Sequence, residues 1–195
     1  AVVADFDQDG FLDIASASGT QVTFHRNDGM GGFEPARITV LGYGAGELDQ
    51  GDINGDGYPD LTATMSGPPG DRSPPTSTIV RVLLFDPTES AFRVAVDTGF
   101  GGDHGRVVVT DIDPHPGAEV VYTRNGVTTV RGLVDSEDAL MVIATFESGS
   151  YEGSFFREAD FVSGDVDGDG DIELIASRFI FNGGASELVA YHRSD

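Results

Sequence analysis

One short acidic pattern recurs along this chain and limits what it can fold into. Gly164 to Ile175 read Gly-Asp-Val-Asp-Gly-Asp-Gly-Asp-Ile-Glu-Leu-Ile. The acids Asp165, Asp167, Asp169 and Glu173 therefore fall at positions one, three, five and nine of a loop, with Gly170 at position six. Alternate side chains in a curling loop can converge on one point, and converging carboxylates repel one another unless a cation sits among them. Calcium suits such a set, because it accepts about six to eight oxygens at roughly 2.3–2.6 Å in irregular geometry. A glycine at position six supplies a sharp turn that a side chain would obstruct. The same frame recurs as Asp5, Asp7, Asp9 and Asp13 with Gly10, and as Asp52, Asn54, Asp56 and Asp60 with Gly57. The position-seven residues Phe11, Tyr58 and Asp171 complete the three candidate metal sets.

The residues beyond the loop exclude an EF-hand. That motif needs a glutamate at position twelve inside an exiting helix, whereas position twelve counted from Asp165 is Ala176. Glu173-Leu-Ile-Ala-Ser leaves the last acid as a short apolar run, which suits a strand. A fourth, degenerate copy runs from Asp111 through Asp113 to Glu119, with His115 at position five and Pro116 at position six. Imidazole is a poor ligand for a hard cation, and proline fixes φ near −65° where the other loops turn on glycine. This copy, the third loop in chain order, is expected to hold no calcium, with His115 exposed and Glu119 merely starting the next strand.

The first acids stand at positions 5, 52, 111 and 165. Periods near fifty residues, each holding several short strands, mark propeller blades. These loops resemble FG-GAP (VCBS-type) repeats, the calcium-loop blades of integrin α-subunit propellers, of many secreted bacterial proteins and of some lectins. The resemblance covers nearly the whole chain as four tandem copies. It implies an all-β fold, a β-propeller of four-stranded antiparallel blades. It also implies three bound calcium ions, and it leaves function open, since folds host sites without defining them.

The strands can be placed around the loops. Blade one (1–46) reads as Ala1–Ala4, Leu12–Ala17, Gln21–Arg26 and Phe33–Leu41. Blade two (47–105) reads as Glu47–Ile53, Asp60–Met65, Thr78–Phe85 and Phe92–Val96, interrupted by a Pro-rich insertion at 66–77. Blade three (106–158) reads as Arg106–Ile112, Glu119–Arg124, Val127–Leu133 and Leu140–Phe146, with a hairpin signal at Asn125-Gly126. Blade four (159–195) reads as Ala159–Val166, Glu173–Phe179 and Glu187–His192 and lacks an outer strand. The chain is thus expected to be a fragment of a larger propeller, with an open edge that invites self-association.

Composition narrows the partners. A formal charge of −22 repels nucleic acid and anionic membranes, and three divalent ions would offset only six of those charges. No cysteine is present, so neither disulfides nor thiol chemistry contribute. No apolar run reaches membrane-spanning length, and Ala1 begins on an apolar stretch, which suggests that a leader or preceding domain has been removed. The expected setting is secreted or cell-surface and bacterial.

Hairpin geometry puts the acidic loops on one face and sends the other connections to the opposite face. That opposite face would collect the Pro-rich insertion at 66–77, Gly42–Glu47, Thr98–Gly105 and Ser148–Arg157, bringing Tyr43, Phe100, Tyr151, Phe155 and Phe156 as ligand-stacking groups or as filler of blade junctions. No Gly-x-Ser-x-Gly elbow, phosphate loop or His-Glu-x-x-His motif occurs. His25, His104, His115 and His192 are scattered, His104 beside Asp103 being the one of interest. The expected function is a non-enzymatic binding or adhesion module presenting the non-calcium face to a carbohydrate or protein. The alternative is part of a polysaccharide lyase or glycosidase, which would need a carboxylate pair, or a base with Arg72, Arg106 or Arg157, on that face.

Overall fold

The computed structural model describes residues 1–66, 78–100, 107–112, 115–124, 127–133, 139–147, 156–180 and 185–191. Four antiparallel sheets succeed one another along the chain. The first holds β1 (Val2–Ala4), β2 (Asp13–Ser18), β3 (Gln21–His25) and β4 (Arg37–Val40) in sequence order. The second holds β5 (Gly44–Gly51), β6 (Asp60–Ser66), β7 (Thr78–Asp86) and β8 (Ala91–Phe100). The third holds β9 (Val107–Thr110), β10 (Glu119–Arg124), β11 (Val127–Leu133) and β12 (Leu140–Glu147). The fourth, among the described residues, holds β13 (Phe156–Gly164), β14 (Glu173–Ile180) and β15 (Ala185–Tyr191). Each acidic loop joins the first two strands of its sheet. The architecture is all-β, with the strand order of propeller blades.

The blades are held together by cores lying between sheets. Successive side chains of a strand point to opposite faces, so one strand can feed two seams. On β7, Leu83 and Phe85 pack toward blade one, while Val80, Val82 and Leu84 pack toward blade three. On β9, Val107 and Val109 face blade two and Val108 faces blade four. The first seam is an aromatic knot in which Phe6, Phe24, Phe85 and Phe92 meet edge to face, with Phe6 and Phe92 centroids 5.1 Å apart. These four phenylalanines fill the junction. Of the aromatics expected on the opposite face, Tyr43 is partly exposed, whereas Tyr151, Phe155 and the side chains of Phe100 and Phe156 lie outside the described residues.

Three strands extend into segments expected to be loops. β5 starts at Gly44, where Ala45 pairs Met65 before the register shifts and Leu48 pairs Ala63. β8 continues to Phe100 opposite Thr78, and β13 starts at Phe156 with a shift between Glu158 and Asp160. Each ladder carries a bulge, which absorbs an extra residue and lets pairing continue where the side-chain alternation breaks. β4 is shorter than expected. Pro35 has no N–H to give, and upstream of it the pairing reduces to a bridge between Asn27 and Phe33 and a bond from Glu34 N to the Arg26 carbonyl at 2.8 Å.

Candidate metal centres

The acidic loops are built from their own backbone outward. In the first, Asp5 Oδ1 accepts Asp9 N–H at 3.0 Å and Asp5 Oδ2 accepts Gly10 N–H at 2.9 Å. In the second, Asp52 Oδ1 accepts from Asp56 N at 3.1 Å and its Oδ2 from Gly57 N at 2.8 Å. In the fourth, Asp165 Oδ1 accepts from Gly168 N at 2.6 Å and its Oδ2 from Gly170 N at 3.2 Å. The sixth-position glycines have φ of 91°, 93° and 100°, a region that costs any residue with a β-carbon. Position four also lies left-handed, at Gln8 (59°), Gly55 (74°) and Gly168 (82°). Gln8 tolerates this while its side-chain amide donates to the Gly57 carbonyl, tying the first loop to the second.

The position-nine acid closes each loop from below. Asp13, Asp60, Glu119 and Glu173 each open the second strand of a blade and are buried. Each accepts the N–H of position two: Phe6 to Asp13 at 3.1 Å, Ile53 to Asp60 at 3.0 Å, Ile112 to Glu119 and Val166 to Glu173, both at 2.9 Å. Asp13 and Asp60 use their other oxygen to accept Asn27 N at 2.7 Å and Phe85 N at 2.9 Å, so the same carboxylate pins the chain just beyond β3 in blade one and β7 itself in blade two. Glu119 therefore does more than start a strand, which corrects the expectation for the third loop. Burial raises the pKa of Asp13 and pushes that of Asp60 up to about 7, against the pull of these backbone bonds.

The structure brings positions one, three and nine together. Asp5, Asp7 and Asp13 offer oxygens that all lie within 4.8 Å of one another, and so do Asp165, Asp167 and Glu173. Oxygens around an ion at roughly 2.3–2.6 Å can stand at most about 5 Å apart, so sets of this size and all-oxygen chemistry fit a hard divalent cation. The matching residues of the second loop are Asp52, Asn54 and Asp60, with the Asn54 amide donating to Asp56 Oδ2 at 3.0 Å. Position five stands outside these triads. Asp9, Asp56 and Asp169 instead accept the N–H of position seven, from Phe11, Tyr58 and Asp171, at 2.8–2.9 Å.

Two features of the site escaped the sequence. Arg26, just beyond β3, pairs with Asp7, with Asp9 at 2.8 Å and with Glu34 at 2.8 Å. The degenerate third loop packs on the second: Ala118 N–H donates to the Asp52 carbonyl at 2.5 Å, and Gly117, with φ of 94°, lies against Ile53 and Gly55. The turn lost at Pro116 is thus made one residue later. His115 is exposed, as expected, and His25 stands edge-on to Phe33 with centroids 6.3 Å apart. Asp113, Asp103, His104, His192, Arg72, Arg106 and the Arg157 side chain lie outside the described residues.

Residues 5–63, spanning the first two loops, match the FG-GAP-like repeat family. This stretch is an FG-GAP-like repeat. No curated protein matches the chain by sequence. Among solved structures, the chain is similar to a lectin of Agrocybe aegerita that recognises non-reducing terminal N-acetylglucosamine. The TM-score is 0.56 at 17% identity, over 96% of this chain and 50% of the lectin. It is also similar to the Tc holotoxin pore of Photorhabdus luminescens, with a TM-score of 0.51 at 15% identity over 97% of this chain and 9% of that one. The chain thus spans half the length of the lectin. At these identities the likeness is one of fold. It extends the propeller architecture beyond the FG-GAP segment to nearly the whole chain.

Proposed function

We propose that this chain is a calcium-stabilised β-propeller module that works outside the cell by binding a glycan on the face opposite its acidic loops, without transforming it. The observation that carries the calcium reading is the repeated oxygen triad, Asp5–Asp7–Asp13 and Asp165–Asp167–Glu173, each held in a backbone bracket that keeps converging carboxylates together. Asp52, Asn54 and Asp60 hold the third ion, and Asp9, Asp56, Asp169, Phe11, Tyr58 and Asp171 lie at the adjoining positions. Calcium supplies counter-charge to these clusters, of which the first is already partly balanced by Arg26, and the chain's own residues do the positioning. The shared fold with a glycan-binding lectin supports a carbohydrate in preference to a protein partner.

The test has two arms. Calorimetric titration of the metal-stripped protein with calcium should show three binding events, and none would refute the metal reading. A glycan array run in calcium and again in chelator tests the ligand. Binding to one terminal sugar class in calcium supports a lectin-like role, whereas turnover of a polysaccharide into shorter products would replace it with the lyase or glycosidase reading.

A further inference from the structure

We propose that Arg26 is a built-in counter-cation that keeps the first loop folded without metal and weakens that loop's hold on calcium relative to the second and fourth. This rests on the proposal that the loops bind calcium. The Arg26 guanidinium spends all three nitrogens on carboxylates: Nε on Asp7 Oδ2, one terminal nitrogen on Asp9 Oδ2 at 2.8 Å, and the other on Glu34 Oε1 at 2.8 Å. Its fork thus takes one oxygen from position three and one from position five. The remaining oxygens, Asp7 Oδ1 and Asp9 Oδ1, already accept Asp9 N at 3.3 Å and Phe11 N at 2.9 Å. Asp7 can then reach an ion through a single oxygen only, and the ion meets a positive charge behind that ligand and behind the adjoining Asp9.

Among the described residues, the arrangement is found in blade one alone. Strand register pairs Ile14 with His25, Leu61 with Leu83 and Val120 with Arg131, so the place of Arg26 is taken by Leu84 in blade two and Gly132 in blade three, while in blade four, where Leu174 pairs with Tyr191, it falls on His192, outside the described residues. Leu84 is buried and apolar. Among the described residues, no basic side chain pairs with Asp52, Asp56, Asp165, Asp167 or Asp169. The first loop therefore has its repulsion relieved from within, and among the described residues the second and fourth loops do not. A partial charge balance lowers both the need for a metal and the gain from binding one.

Amide NMR can watch each loop separately, because Gly10, Gly57 and Gly170 donate to the first acid of their own loops. In a calcium titration of the full chain, the Gly10 resonance should respond last, at a Kd roughly tenfold weaker than those of Gly57 and Gly170. Arg26→Gln should tighten the Gly10 response about tenfold, leave the other two in place, and lower the melting temperature in chelator but not in calcium. An Arg26→Gln chain that folds only in calcium gives the same answer. If the variant folds in neither condition, Arg26→Lys carries the test: loss of the fork with the charge kept should tighten Gly10 about threefold. A Gly10 response that is unchanged or weakened in the folded variant overturns the inference while the calcium reading stands. Three silent glycines in the wild-type chain overturn both.

Discussion

Gly117 lies directly against Ile53, so close that a β-carbon at Gly117 would overlap the Ile53 carbonyl oxygen. Its φ of 94° adds a second reason for glycine at this place. The third loop is thereby seated on the second, with Ala118 N–H donating to the Asp52 carbonyl. Gly117→Ala should cost about 1–3 kcal/mol, since it combines a disfavoured backbone with a steric overlap. Chemical denaturation should show a lower midpoint with an unchanged slope.

Removal of metal should lower stability throughout the chain. The carboxylates of the second and fourth loops repel in the apo state, those of the first less so beside Arg26, and any ion bound only by the folded form adds its binding free energy to folding. Excess chelator should lower the melting temperature, and added calcium should restore it in a concentration-dependent way. Melting curves that coincide in chelator and calcium would contradict the metal reading.

The pH dependence of the metal-free protein should run opposite to that of an ordinary carboxylate pair. Burial holds the Asp60 pKa at about 7, above the 3.8 of an unburied aspartate, so the folded state keeps a proton that the unfolded chain releases. Asp60 then contributes stability that is fully present below about pH 4 and is lost as pH rises through 7. Asp13 is shifted in the same direction for the same reason. In chelator the melting temperature should fall between about pH 5 and pH 8, and Asp60→Asn should flatten that fall. Saturating calcium should reverse the trend, because metal binds the ionised form.

The aromatic knot gives a metal-independent prediction. Phe24 is buried, with ring contacts to Phe6, Phe85 and Phe92 at centroid distances of 5.4–5.7 Å. Phe24→Ala should destabilise by about 3–5 kcal/mol through lost burial and a cavity at the first blade seam. Thermal unfolding in calcium and in chelator should show a similar loss.

The strands and loops were legible because both signals are local. Acids at fixed offsets mark the loops, and apolar runs on either side mark strands. Glu119–Arg124 and Val127–Leu133 fall where the pattern puts them. The illegible part depends on register between strands. Arg26 reaches Asp7 and Asp9 because His25 pairs with Ile14, a relation that no window of sequence displays but that counting back from the Gly19 turn would have reached. Glu119 looked like the first residue of a strand because its partner, the Ile112 N–H, lies seven positions away and is not a side chain. The extra length of β5, β8 and β13 was hidden by bulges, which break the alternation by which strands are recognised in sequence.

An apolar residue at position two couples each of the first three loops to a neighbouring blade. Phe6 and Ile53 are fully buried, Phe6 touching Phe85 and Phe92 of the second blade and Ile53 packing with Val107 and Val109 of the third. Ile112 packs likewise in the third seam, while Val166 of the fourth loop is 57% exposed. Each of the first three loops is thus riveted into the next blade along the chain. Mechanical load or thermal loosening at one loop therefore passes first to the blade it is pinned to, and the seams should open as coupled neighbours, like hinges sharing their pins.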